Sequence, residues 1–535
     1  MPSPIGDFFS NAFRSLARPF AAAQSGITHK LATWGHDVAL FGPLAQLGPG
    51  VSDKLDQASE KVLLPHSPLH VNVPEPKSFA PLVDNQPTEL LQGATALTHP
   101  RLPTTFGIHL PTAGDARLDL RAAGPGTDWG TKGSESAVMS VYLDGAYHQD
   151  VVLTGGAQET PYALSLGNLP AGDHTVSLRY APEKSAAGAK GINLGSLTAQ
   201  SVTYGSSEEK WAADNAPVLI GRNGLANNHN DAPLALYHKF VKNPDGTTTI
   251  SYSYAYSNED GGDGANLALE YALYGRSLDM QHVYDVTVDG NGKVLRRQYE
   301  GPWHNIHNLS NGIASSLRGV PASPSRQMMD FNGEFDGSHA VLRTETTNNN
   351  VTDSGIGGLR FRFPTDNPIR NAADESLLLK RPDFYRISTA EVAREGKIDP
   401  KGVGSKPDPS IWGYIKSQAL DLIPGKQRQI ADPRNYLYVQ LEGQGLEKHP
   451  LGVRVQLKDG SWHSSDLGNP KARLGDSGWA QAAVRLPPGT KPQDVKAIAY
   501  EGGKVVSQGP AYMLDAEFNP QMVEAPSSTP ASSAP

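Results

Sequence analysis

The sequence predicts a mainly β protein: several β-sandwiches, jelly-roll-like and immunoglobulin-like, behind a small helical N-terminal prefix. Three observations predict this. Glycine and proline are frequent, at 55 and 42 of 535 residues, as expected where many short strands are joined by tight turns. Alternation of apolar and polar residues, the signature of half-buried strands, recurs from residue 102 to residue 515. The chain is also too long for a single core, since a domain usually holds about 100–200 residues.

The elements follow in order. Residues 1–64 read as the helical prefix. Ser3 can cap a first helix over residues 3–23, and Pro4 suits its first helical position. Ile5, Phe8, Phe9, Phe13, Leu16 and Phe20 share one face, with Arg14 and Arg18 off it. That face can meet a membrane surface or serve in delivery, or it can dock on the protein's own core. Further helical stretches lie at 29–40 and 52–64, and residues 65–101 read as a Pro-rich linker. Residues 102–205 read as a jelly-roll-like sandwich: a strand at 137–143, the turn dipeptide Asp144-Gly145, a return strand at 147–153, and strands at 162–166 and 174–180. Residues 217–390 form a central β-rich domain with strands at 234–241, 248–256, 282–288, 294–299, 339–345 and 359–363. The run from Val288 to Val294, rich in Asp, Asn and Gly, is a hairpin connection. Residues 391–434 are a mixed connector, with short helices expected at 388–395 and 411–422. Residues 435–516 read as an immunoglobulin-like sandwich and 517–535 as a disordered tail ending in APSSTPASSAP.

Composition excludes several classes. With no cysteine, disulfides, thiolate nucleophiles, Cys-ligated zinc and iron–sulfur clusters are ruled out. A net charge of −8 argues against nucleic acid as a partner, which calls for a basic face. No apolar run reaches the roughly 18 residues of a membrane-spanning helix. The N-terminus lacks the apolar stretch of a secretory signal. The cysteine-free composition nevertheless suits an exported or envelope-associated bacterial protein, which would then leave the cell by another route.

Chemistry-bearing residues concentrate in the central domain. Asn258, Glu259, Asp260 and Asp263, set among glycines, offer hard oxygen ligands to Ca²⁺ or form a solvated acidic turn. His304, His307 and His339, with Asp279 or His282, offer a transition-metal or hydrolytic centre, or are scattered histidines. Asp279, Asp285, Glu259, Asp260 and Glu345 are candidates for a carboxylate pair acting on a glycosidic bond. Nucleophile-elbow, P-loop, His-Glu-x-x-His and dinucleotide signatures are missing.

Two segments carry resemblances. The run VYLDGAYHQDVVL, with LGNLPAGDHTVSLRY after it, resembles the jelly-roll carbohydrate-binding modules of bacterial exported proteins. That likeness implies sugar stacking on aromatic rings, and Trp129, Tyr142, Tyr147 and Tyr162 are the rings available, each equally suited to a core. The run YSNEDGGDGANLALEYALYGRSLDMQHVYDVTVDGNGKV, followed by Gly337-Ser-His339, is similar to a family of secreted or vacuolar-sorting-associated β-rich proteins. Here Asp279-Met-Gln-His282 stands where that family has a Gly-Asp-Trp-Glu-like run. The expected function is glycan binding through the sandwiches. Its rivals are a hydrolase centred in 217–390 and a structural or effector protein delivered through its prefix.

Overall fold

The computed structural model describes residues 73–91, 93–99, 102–221, 231–258, 267–301, 328–344, 349–354, 358–369, 381–407, 429–475 and 477–524. The helices expected at 3–23, 29–40, 52–64 and 411–422 lie outside these residues, as do His304, His307, Glu259, Asp260, Asp263 and Glu345.

The N-terminal unit is a two-sheet sandwich. One sheet runs Phe79–Pro81, Thr104–Leu110, Gly172–Tyr180, Ala137–Leu143 and Ala146–Leu153, in that spatial order. The other runs Thr88–Leu91, Ile192–Val202, Gly114–Ala123 and Thr160–Leu169, with Thr95–Leu97 also on Ile192–Val202. Neighbours in space are mostly distant in sequence, as in jelly rolls. Met139 and Val141 point into the sandwich with Leu118, Leu178 and Leu197. Val138, one residue out of phase, joins a second core on the other face. The Asp144-Gly145 turn has positive φ at both residues, 49° and 78°, which matches the right-handed twist of its flanking strands. Residues 65–101 were expected to be a linker. Instead, 79–81, 88–91 and 95–97 are strands of this sandwich, each too short, and too close to prolines, to show a period.

The central unit stacks two more sheets. One has the order Pro233–Lys242, Thr248–Tyr256, Asp279–Val288, Val294–Glu300 and Met328–Asp330. The other has Phe335–Asp336, His339–Thr344, Val218–Ile220 and Arg360–Phe361, with Val351–Thr352 paired to His339–Thr344. Between them lie Tyr252, Tyr254, Tyr256, Tyr284, Val286, Leu219, Leu342 and Phe361.

Three helices flank the sheets among the described residues: α1 (Ser207–Asn215), α2 (Leu267–Tyr274) and α3 (Pro382–Arg394). Ser206 caps α1 by accepting the Glu209 amide at 3.2 Å. Helix α3 starts six residues before the expected 388, with Pro382 in its first turn, where a missing N–H costs nothing.

The C-terminal unit pairs a sheet of Gly478–Arg485, Tyr436–Gln444, Lys504–Leu514 and Pro520–Met522 with one of Trp462–Ser464, Gly452–Leu457 and Val495–Glu501. The strand at 520–522 takes up the start of the expected tail. Tyr271 of α2, Phe384 and Tyr385 of α3, and Tyr436, Tyr438 and Tyr512 share one buried cluster between the central and C-terminal units. No described helix is long and apolar enough to cross a membrane.

Candidate functional site

The strand Asp279–Val288 carries the site. Antiparallel register sets Asp279 opposite Tyr256 and Gln281 opposite Tyr254, so these two polar side chains share the face of the buried tyrosines. His282, opposite Ser253, points to the other face. Asp279 and His282 were expected in one centre, and strand alternation separates them.

On the outer face, His282 Nδ1 meets Glu300 Oε2 at 2.8 Å and Nε2 meets Asp285 Oδ1 at 2.8 Å. Residues three apart in an unbroken strand face opposite ways. The register shift between Tyr252 and Ser253 inserts the extra residue that lets His282 and Asp285 meet. An imidazole facing a carboxylate at each nitrogen holds a proton on both. Burial opposes that charge, but the bonds to Asp285 and Glu300 outweigh it and raise the ring's pKa. In this state His282 has no lone pair for a metal or an incoming proton, so its expected catalytic role becomes a structural one.

On the inner face, Asn349 Nδ2 donates to Asp279 Oδ2 at 3.0 Å and to the Asn258 carbonyl at 3.0 Å. Gln281 Nε2 donates to Asn350 Oδ1 at 3.0 Å. Asn258 Nδ2 donates to Glu395 Oε2 at 3.1 Å, and Lys397 Nζ reaches the same oxygen at 3.0 Å. Asn258, Asn349 and Asn350 are buried, while Asp279 and Gln281 are part-exposed. Desolvation pushes the Asp279 carboxyl up to about 7, against the Asn349 bond and the Arg276 charge, and the Glu300 charge adds to the rise. Asn349 has φ of 60°, a conformation that Asn tolerates better than most side chains. Its Oδ1 is buried without a hydrogen-bond partner. Such atoms are costly to bury in a folded protein and mark a place where something polar belongs.

The other expected residues are placed elsewhere. His339, on the opposite sheet, donates Nδ1 to the Ala216 carbonyl at 2.9 Å, and burial lowers its pKa. Among the described residues no group of three or more His, Asp or Glu is arranged to hold a metal ion. The four rings make no exposed platform. Trp129 is 3% exposed, with the Arg394 guanidinium 4.8 Å from its ring centroid and Arg394 Nη1 on its carbonyl at 2.6 Å. It plugs the first sandwich onto α3. Tyr142 is buried edge-to-face with Tyr147 at 6.1 Å. The Tyr147 hydroxyl donates to buried Asp150 at 2.5 Å, and Lys184 Nζ lies 4.6 Å from its ring centroid. The Tyr162 hydroxyl accepts the Thr154 amide at 3.0 Å. Tyr162 packs against the core of its own sandwich, and Trp129, in a turn, is covered by α3.

Sequence reading missed Glu300, Gln281, Glu395 and Lys397. The triple asparagine 348–350 was the one visible signal for Asn349.

No family model matches the sequence, and no curated protein does either. Solved structures match parts of it. A family 35 carbohydrate-binding module from Cellvibrio japonicus Abf62 is 20% identical over 19% of this chain and 66% of that one, with a TM-score of 0.15. The carbohydrate-binding module CBM6cm-2 from Cellvibrio mixtus lichenase 5A, in complex with cellotriose, is 18% identical over 22% of this chain and 75% of that one, at 0.14. A β-glucosidase from Paenibacillus barengoltzii is 14% identical over 25% of this chain at 0.15, and the match spans 12% of its length.

Proposed function

We propose that this chain binds a glycan at the inner-face cluster of the central unit, around Asp279, Gln281 and Asn349. The observation that supports this is a half-buried carboxyl and amide held in a frame of buried asparagines, with the buried Asn349 Oδ1 left unpartnered. Paired sugar hydroxyls both donate and accept, and planar carboxylate and amide groups fixed in advance are their chemical complement. An exported setting, as the cysteine-free composition suggests, fits such a ligand. The test is a glycan array probed with the wild-type chain and with Asn349→Ala. The variant loses the array signals that the wild type gives. Equal signals would remove the cluster from recognition.

A second reading, glycoside hydrolysis, is favoured by one arrangement: the Asp279 carboxyl is held by the buried Asn349, and desolvation there pushes it up to about 7. A carboxyl in that range is protonated in about half of the molecules at neutral pH and can pass its proton to a leaving oxygen. Release of reducing ends by the wild type, abolished in Asp279→Asn, would support it. Binding without release would leave the chain a binding protein.

A further inference from the structure

The outer face of the C-terminal three-stranded sheet presents one exposed tryptophan, Trp462. The strand Gly452–Leu457 points Val453, Val455 and Leu457 into its sandwich, so Arg454 and Gln456 face outward. Gln456 pairs with Trp462 on one side and Ala497 on the other, and Arg454 pairs with Ser464 and Ala499. Trp462, Gln456, Arg454, Ala497 and Ala499 therefore share this face. Trp462 is 43% exposed on an edge strand, the one tryptophan so exposed among the described residues.

Its ring is held in place. The Arg454 guanidinium lies 4.8 Å from the ring centroid, and Arg454 Nη1 is bonded to Glu501 Oε1 at 2.6 Å. The second Glu501 oxygen takes Arg473 Nη2 at 2.8 Å, and Arg473 Nε is anchored on the buried Asp466 at 2.7 Å. This chain of charges fixes the guanidinium and, through it, the indole, so little side-chain freedom remains to be lost on binding. The two arginines and two carboxylates also cancel in charge.

We propose that Trp462 is the stacking platform of a second glycan subsite, taking an uncharged pyranose. The flat ring matches the apolar face of the sugar. The Gln456 amide, cross-strand from Trp462, and the Arg454–Glu501 pair, whose guanidinium lies over one side of the ring, match its hydroxyls. Ala497 and Ala499 keep the floor beside the ring low, and the balanced charges favour a neutral sugar over an acidic one. The proposal rests on the glycan reading of the chain but uses a different unit and different residues.

The test is affinity electrophoresis of the full chain in native gels cast with hydroxyethylcellulose, laminarin, galactomannan or, as an acidic control, alginate. A neutral polysaccharide retards the wild type more than alginate does. Trp462→Ala weakens that retardation about tenfold or more, the usual cost of removing a central aromatic anchor. Trp462→Phe, which keeps a ring and guards against misfolding, retains part of it. Retardation of Trp462→Ala equal to wild type overturns the platform, and the ring is then a cross-strand staple. Loss in Trp462→Ala but not in Asn349→Ala supports the platform and removes the central cluster. Loss in Asn349→Ala alone does the reverse, and no retardation of the wild type in any gel overturns both.

Discussion

Asp279 shows how one side chain registers its surroundings. Its carboxyl stands at about 7 because burial disfavours the charged form, whereas in an unfolded chain it titrates near 4. The folded state holds that proton more tightly. The stability it contributes is fully present below about pH 4 and is lost as pH rises through about 7. Asp279→Asn removes this dependence, so the melting temperature of the wild type falls relative to the variant between those limits. Parallel curves would place Asp279 in water. His282 makes a different prediction, because its buried ring bonds to both Asp285 and the buried Glu300. His282→Ala costs about 3 kcal/mol, the scale of breaking a buried ion pair, measured by urea unfolding. A cost under about 0.5 kcal/mol, typical of exposed pairs, would contradict the bond geometry.

Individual elements differ in how plainly the sequence announces them. The Asp144-Gly145 and 288–294 hairpins were legible because turn chemistry is local. Helix α2 was not: it buries Leu267 through Ala272 without a break, and a segment covered all round has no amphipathic period. Helix α1 carries a local signal, since Ser206 and Glu209 stand at capping-box spacing and Glu209 Oε2 accepts the Gly205 amide at 2.9 Å. The site was half-legible. Asp279 stood out as an acid, but its partner Asn349 is 70 residues away, and Glu300 is 18 residues from His282; only sheet register brings them together. Tyr142 and Tyr147 failed as sugar platforms because a sheet covered on both faces shows the same alternation as one half exposed. Trp129, in a turn, is a joint residue. Trp129→Ala costs about 3–5 kcal/mol and exposes the joint between the first sandwich and α3 to limited proteolysis. An unchanged digestion pattern would mean the joint rests on other contacts.

At the scale of the molecule, the units are bound by shared cores rather than strung on linkers. Trp129, Val138 and Val152 of the first sandwich belong to the core of the central unit. The tyrosine cluster joins the central and C-terminal units, with Tyr385 and Tyr512 hydroxyls 2.8 Å apart and Gln481 bridging Tyr512 and the Gly275 carbonyl. An apolar interface of this kind resists independent domain motion. Calorimetry of the full chain accordingly shows the central and C-terminal units melting in one transition, and a separate C-terminal transition would contradict the shared core. This rigidity gives the Asp279 cluster a fixed frame, in which we propose that a glycan binds. The most direct test is hydrogen–deuterium exchange mass spectrometry of the wild-type chain with and without the oligosaccharide that gives the strongest array signal. A glycan bound there slows exchange in peptides spanning 256–258, 278–282 and 349–352. Protection confined to other segments, or none at saturating oligosaccharide, would contradict it.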